Sequence, residues 1–179
     1  MIRKLFAFMI VCSCIAYPQE IRTIKQNPVK ETDKLPNNDS VATAYALPSR
    51  FSSVIVVRVK YQADLLTELT NIVSKNDIQN GVILSGIGSV TGYHIHVVNN
   101  TTFPTSNEFI KNPNAPADIV NLNGYIIDGR VHAHITLADG KKAFGGHLEE
   151  GTQVFTFAII TIGILENIDL NRVDDSTYR

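Results

Sequence analysis

The stretch "VHAHITLADGKKAFGGHL" (residues 131–148) decides the fold, because it joins two strand-like runs through a tight turn. The dipeptide Asp139-Gly140 is a strong hairpin signal, since both residues tolerate the positive φ angles that two-residue turns need. With this two-residue turn, His132 lies directly opposite His147 on the neighbouring strand. The stretch therefore predicts an antiparallel hairpin that carries histidines on both strands.

Side chains alternate between the two faces of a strand, so His132, His134 and His147 share one face of this hairpin. In the predicted register, His134 lies opposite Gly145 and diagonal to His147. The opposite face is apolar or glycine except for one lysine near the turn, and it consists of Val131, Ala133, Ile135, Leu137, Lys142, Phe144, Gly146 and Leu148. One face of the hairpin therefore contributes to the core, and the other brings three imidazole rings together.

Two other registers are compatible with the turn. A three-residue loop with a bulge at Gly140 would send His147 to the core face. A four-residue loop over residues 138–141 would keep the predicted pairing. We favour an even register, because it alone sorts the apolar residues onto one side.

Three converging imidazoles are a ligand set that suits zinc, although nickel, copper and iron also accept imidazole ligands. Three protein ligands leave one coordination position open, as in catalytic zinc sites. Glu149 lies on the same face as His147, where it can act as a base or support a ligand; it can equally be a solvated turn residue. The alternative to a metal site is a group of surface histidines without an ion.

A second pair, His94 and His96, also shares one face of a strand in "GYHIHVV". No third ligand follows in the sequence, which favours a structural role. If this strand neighbours the hairpin, the pair can join the first group.

The period of the apolar residues predicts one domain over residues 51–165. "LLTELTNIVSK" (65–75) has apolar residues at helical spacing, and Asp64 is placed to cap this helix. β-Branched runs predict strands at 53–60, 81–99, 119–127, 130–138, 141–148 and 153–165, with a loop over 103–118. The stretch 81–99 is one long strand or two, with Gly86, Gly88 and Gly92 allowing bends or bulges. One principal helix packed on one face of a mainly antiparallel sheet is an α+β fold.

The first sixteen residues, "MIRKLFAFMIVCSCIA", have the form of a bacterial export signal, with a basic start and a short apolar run. "VCSC" resembles a lipoprotein box in which Cys14 accepts the lipid, whereas Ala16 also fits ordinary cleavage. The sequence therefore predicts an exported protein that is either periplasmic or anchored to the membrane through a lipid on Cys14.

The segments on either side of the domain differ from it in composition. Residues 17–50 mix Pro, Asn, Lys and acidic residues without an apolar period, which predicts a flexible linker. Residues 166–179 are rich in charged residues and predict a polar C-terminal tail.

The segments "GVILSGIGSVTGYHI", "LNGYI", "VHAHITLADGKKAFGGHL" and "EGTQVFTFAII" resemble the plants and prokaryotes conserved domain, or PPC domain, over about residues 51–165. The resemblance implies an antiparallel sheet flanked by a helix, a homotrimer, and a metal site formed by His132, His134 and His147. Plant members of the family join this domain to AT-hooks and act in the nucleus, which gives a DNA-binding or regulatory protein as the alternative function.

The charge of the domain argues against nucleic acid as a partner. Residues 51–165 hold seven Lys and Arg against nine Asp and Glu, a net charge of −2, and the Arg-Gly-Arg-Pro core of an AT-hook is missing from the sequence. Backbone phosphates are bound by basic surfaces. We therefore expect an exported metal protein that binds a small molecule at an open zinc or acts on it there, and the sequence names no substrate.

Overall fold

Strands make up most of the computed structural model, which describes residues 18–25 and 42–172. The eight strands are β1 (Glu20–Lys25), β2 (Arg50–Lys60), β3 (Asn80–Val98), β4 (Ser106–Asn112), β5 (Ala117–Ile127), β6 (Arg130–Ala138), β7 (Ala143–Leu148) and β8 (Gln153–Glu166), and α1 is Leu65–Lys75. A short 3-10 turn follows at Leu170–Arg172. All the strand pairings are antiparallel, so the predicted mainly antiparallel sheet with one principal helix is confirmed for the described part of the chain.

Helix α1 begins and ends where the apolar period predicts. The Asp64 carboxylate accepts a hydrogen bond from the backbone N–H of Thr67 at 3.0 Å, which satisfies one of the free donors of the first turn. Leu65, Leu69 and Val73 form the buried stripe of the helix. This stripe packs on β2, β6 and β8, so the helix covers one face of the sheet.

Strand β3 is the centre of the sheet, because each half of it pairs with two neighbours. Its first half lies between β5 and β8, and its second half lies between β4 and β7. The pairing with β8 shifts register near Gly88 and Gly92, as the glycines in this stretch predict. At Gly88 the φ angle is 153°, and a Cβ there would lie 2.2 Å from the Phe157 carbonyl oxygen, so only glycine fits.

Strand β7 closes the sheet on itself. It pairs with β6 along one edge and with β3 along the other, and β6 is joined to β3 through β5. These four strands therefore form a ring. The core includes fully buried side chains from these four strands and from β8, among them Ile83, Ile95, Leu122, Ile126, Ile135, Leu137, Leu148, Ile160 and Ile162.

Three segments differ from the prediction. The predicted loop over 103–118 contains β4, because this segment pairs with the second half of β3. The predicted linker contains β1, which adds to the outer edge of β4. At the start of the predicted polar tail, Leu170 is 3% exposed, and its N–H donates to the Asn80 side chain at 3.1 Å.

The predicted export segment over residues 1–16, including Cys14, lies outside the described residues. Within residues 18–25 and 42–172, no helix has the length and apolar character that a membrane crossing requires.

Candidate metal centre

The hairpin between β6 and β7 turns through four residues instead of two. Ala138 pairs with Ala143, so the loop comprises Asp139 to Lys142. One oxygen of the Asp139 carboxylate accepts the backbone N–H groups of Lys141 and Lys142 at 2.7 and 2.9 Å. These bonds lower the pKa of Asp139 and stabilise the longer loop, which the dipeptide alone does not reveal.

The longer loop corrects the predicted cross-strand partners. His134 lies opposite His147, whereas Gly145 lies opposite Thr136. The predicted pairing of His132 with His147 is therefore wrong, as is that of His134 with Gly145. Because the pairing slips by two residues, every side chain stays on its predicted face, and the register that would bury His147 in the core is not the one observed.

The structure brings the three predicted histidines together on the outer face of β6 and β7. Each of His132, His134 and His147 offers one ring nitrogen, and these atoms all lie within 4.8 Å of one another. The ring centroid of His147 lies 4.7 Å from that of His132 and 5.3 Å from that of His134. His132 and His134 are exposed and His147 is half-buried, so solvent reaches the group.

Two of the three imidazoles are held in their neutral form. Burial, followed by the nearby His96 and His132, lowers the pKa of His147 from 6.5 to about 4. Burial and the same two histidines also lower the pKa of His134. A neutral imidazole is the form that binds a metal ion, so these two side chains are ready to act as ligands at neutral pH.

His96 extends the group across a third strand. Strands β3 and β7 are neighbours, and His96 pairs directly with His147 at a ring-centroid distance of 4.5 Å. His96 Nδ1 lies 2.6 Å from the carboxylate of Glu149. His96, His147 and Glu149 thus form a second set of three possible ligands within 4.8 Å. The sequence leaves the position of His96 open, because it does not reveal that β7 returns to β3.

His94 does not join either set. Its Nδ1 donates to the backbone carbonyl of Glu150 at 2.7 Å, and its Nε2 is buried without a hydrogen-bond partner among the described residues. This contact ties β3 to the turn after β7, and a structural role for His94 stays a prediction.

Phe109 is a neighbour of the site that the sequence pattern does not reveal. It pairs with His96 from β4, and the two ring centroids are 4.8 Å apart. Because residues 103–118 are predicted as a loop, no side chain there is expected beside the histidines. The adjacent Phe109 and Ile110 in "SNEFIKN", an aromatic and a β-branched residue, are the signal that could have revealed a strand.

The first set fits a metal ion by its chemistry. It consists of nitrogen donors on two paired strands, whose backbone positions are fixed by the hydrogen bonds of the ring. Zinc binds such donors at about 2.0–2.1 Å. The three side chains can therefore hold a metal.

Comparison with known families supports this fold. A family model described as the Plants and Prokaryotes Conserved (PCC) domain matches residues 48–166. Among curated proteins, the chain is similar to bifunctional protein GlmU from two Synechococcus strains, with 26% identity over 136 residues and 29% over 100 residues. These alignments cover 75% and 55% of this chain but only 21% and 15% of the GlmU chains. The chain thus spans about a fifth or less of the length of the curated relatives that it matches.

Solved structures share the fold at low sequence identity. A PPC protein from Pyrococcus horikoshii aligns with a TM-score of 0.59 and 23% identity, covering 70% of this chain and 87% of the other. A metal-containing protein from Archaeoglobus fulgidus aligns with a TM-score of 0.56 and 20% identity, and the alignment covers 68% of this chain and 86% of the other. A putative DNA-binding protein from Bacteroides thetaiotaomicron aligns with a TM-score of 0.54 and 19% identity, and this alignment also covers 68% of this chain and 86% of the other.

Proposed function

The chain belongs to the Plants and Prokaryotes Conserved domain family, and we propose that it is a metal-binding member whose three-histidine site holds zinc. The observation that carries this proposal is the approach of ring nitrogens from His132, His134 and His147 to within 4.8 Å of one another. The Archaeoglobus fulgidus protein of the same fold is described as metal-containing, which supports the proposal.

Three histidine ligands leave one position of a tetrahedral zinc ion open. His132 and His134 are exposed, so a water molecule or a small anionic or carbonyl-bearing ligand can reach that position. A bound zinc ion would supply Lewis acidity there. The histidines of this chain would orient the ion, and we propose a small molecule as its ligand.

Metal content tests the proposal directly. Purified protein is stripped with a chelator, reloaded with zinc and analysed by mass spectrometry, as the wild type and as His134→Ala. Removing one of three ligands should weaken zinc binding by more than the roughly 10–100-fold that loss of an outer partner costs.

Asn123→Ala is the matched control, because Asn123 is exposed and lies opposite His134 on β5. This variant removes a polar side chain from the same face without removing a ligand, so it should bind zinc like the wild type. Equal and near-zero zinc in the wild type and in His134→Ala would refute the proposed function.

We also propose that the protein assembles as a homotrimer, as the resemblance to the PPC domain implies. The outer face of β2, β3 and β8 exposes large apolar side chains that a second copy can cover, namely Val54, Val56, Leu84, Ile87, Phe155 and Phe157. Light scattering should give three chains per particle. Val56→Glu should reduce the assembly, whereas Thr70→Glu on the exposed side of α1 should not.

Export through the N-terminal segment is a further part of the proposal. The basic residues Arg3 and Lys4, the short apolar run and the "VCSC" motif support it. Radiolabelled palmitate should be incorporated in a bacterial host and lost in Cys14→Ser. If the label is absent and the mature chain begins after Ala16, ordinary cleavage replaces lipidation.

A further inference from the structure

We propose that the centre has a second metal position, formed by His96, His147 and Glu149, so that His147 is shared between two ions. This inference rests on the proposed function, because the first ion uses the same His147. The second position adds an oxygen ligand and a third strand to the site.

The pairing of the strands places one position on each side of His147. Strand β7 lies between β6 and β3, with His134 opposite His147 on one side and His96 opposite it on the other. An imidazole has two ring nitrogens, and it can serve one ion with each once the proton on its N–H nitrogen has left to solvent, which makes it an imidazolate. The row His134, His147, His96 therefore offers two neighbouring places for a cation instead of one enlarged site.

The ligand sets support two positions. The atoms of His132, His134 and His147 lie within 4.8 Å of one another, and so do those of His96, His147 and Glu149. His147 is the member that the two sets share. His96 and Glu149 are 19% and 26% exposed at their side chains, so an ion can enter from solvent.

The contact between His96 and Glu149 is one that a metal ion can replace. His96 Nδ1 lies 2.6 Å from the Glu149 carboxylate, which accepts the Nδ1 hydrogen. Two ligand atoms at about 2.0–2.1 Å from a tetrahedral ion lie about 3.3 Å apart, so the pair needs to open by about 0.7 Å from its present 2.6 Å. Binding of both ions would release two protons to solvent, the one between His96 and Glu149 and the remaining ring N–H proton of His147, and the carboxylate and the imidazolate would offset part of the charge of the ions.

The surroundings hold the second set in place. The ring of Phe109 lies 4.8 Å from that of His96 and closes one side of it. The backbone N–H of Glu149 donates to the carbonyl of His94 at 3.0 Å, which fixes the start of the turn after β7. The ligands of the second position are therefore oriented before an ion arrives.

Metal stoichiometry tests the second position. The full chain is stripped with a chelator and titrated with Zn²⁺, and bound metal per chain is measured in the wild type and in three variants. We expect two ions in the wild type, one in Glu149→Gln, one in the double variant His132→Ala/His134→Ala, and none at micromolar zinc in His147→Ala. Titration with Co²⁺ should show two different visible spectra for the two single-ion proteins, because one site has three nitrogen ligands and the other has two nitrogens and an oxygen.

Glu150→Gln is the matched control, because Glu150 is exposed, belongs to neither ligand set and also loses one charge. It should bind two ions. Glu149→Gln keeps the size and hydrogen-bonding shape of the side chain, so its fold should persist, and circular dichroism checks this. One ion in both the wild type and Glu149→Gln overturns the second position, even if the affinity falls, and leaves the proposed function intact. No ion in the wild type overturns both.

Discussion

Replacing Gly145 by alanine should damage the fold and the metal centre together. Gly145 lies where β7 approaches β6, and a Cβ built on it would lie 2.1 Å from the Ile135 carbonyl oxygen and 3.1 Å from the Thr136 Cα. Both contacts are to backbone atoms of β6, which cannot rotate away. The two strands therefore have to separate to admit one methyl group.

The geometry gives the size of the effect. A carbon and a carbonyl oxygen need about 3.3 Å, so β7 has to move by about 1.2 Å from the 2.1 Å contact. Overpacking of this kind costs about 1–3 kcal/mol, and each backbone hydrogen bond weakened between β6 and β7 adds about 1 kcal/mol. We expect the free energy of unfolding to fall by roughly 2–4 kcal/mol, which is a large fraction of the roughly 5–15 kcal/mol typical of a domain. Because metal–ligand distances must hold within about 0.2 Å, moving His147 with its strand should reduce zinc affinity at least about tenfold.

Thermal unfolding and a zinc titration measure the two effects in one preparation. Gly140→Ala is the control, since a Cβ there meets no atom within 4 Å, and its stability should change by no more than about 0.5 kcal/mol. If Gly145→Ala unfolds at the wild-type temperature and binds zinc with wild-type affinity, the close approach of the two strands does not position His147.

The pKa of His147, the contacts of Asp64 and the net charge of the domain each give a further prediction. In metal-free protein, the pKa of His147 is about 4 against 6.5 in the unfolded chain, so the unfolded chain takes up the proton first as the pH falls. The free energy of unfolding should therefore fall by about 1–2 kcal/mol, after allowance for solvent screening, between pH 6.5 and pH 4. Urea unfolding at both pH values should show this loss in the wild type and a smaller one in His147→Ala. Asp64→Ala should lower the free energy of unfolding, measured by chemical denaturation, by about 2–3 kcal/mol, because Asp64 caps α1 and also accepts a hydrogen bond from the Gly151 N–H at 2.6 Å. Asp64→Asn should lower it by less. A gel-shift assay with mixed-sequence DNA at physiological salt should show no complex, because residues 51–165 carry a net charge of −2. A tight, salt-sensitive complex would instead favour the DNA-binding alternative.

The sequence predicts the parts of the fold that depend on local period and capping. The helix over 65–75 follows from its apolar spacing and from Asp64, and the two faces of the hairpin follow from alternation. The approach of His132, His134 and His147 follows from the same alternation, because a slip by two residues leaves the faces unchanged.

Long-range pairing is what the sequence does not reveal. Strands β1 and β4 are short and only partly apolar. They are strands because β4 pairs with an edge of β3 and β1 pairs with the outer edge of β4. The return of β7 to β3 depends on the whole ring, so the place of His96 beside His147 could not be derived from spacing alone. The four-residue loop depends on the hydrogen bonds that the Asp139 carboxylate accepts from the backbone N–H groups of Lys141 and Lys142, and the dipeptide alone does not reveal them.

Strand β7 is only six residues long, and it pairs with β6 from Ala143 to His147 and with β3 at His147 and Leu148. Its amides can exchange with deuterium only when the ring opens locally, and an ion that joins side chains of β6 and β7 disfavours opening by the factor 1 + [ion]/Kd. Deuterium uptake in this one strand would therefore report how much of the protein carries metal, inside a cell extract as well as in a purified sample.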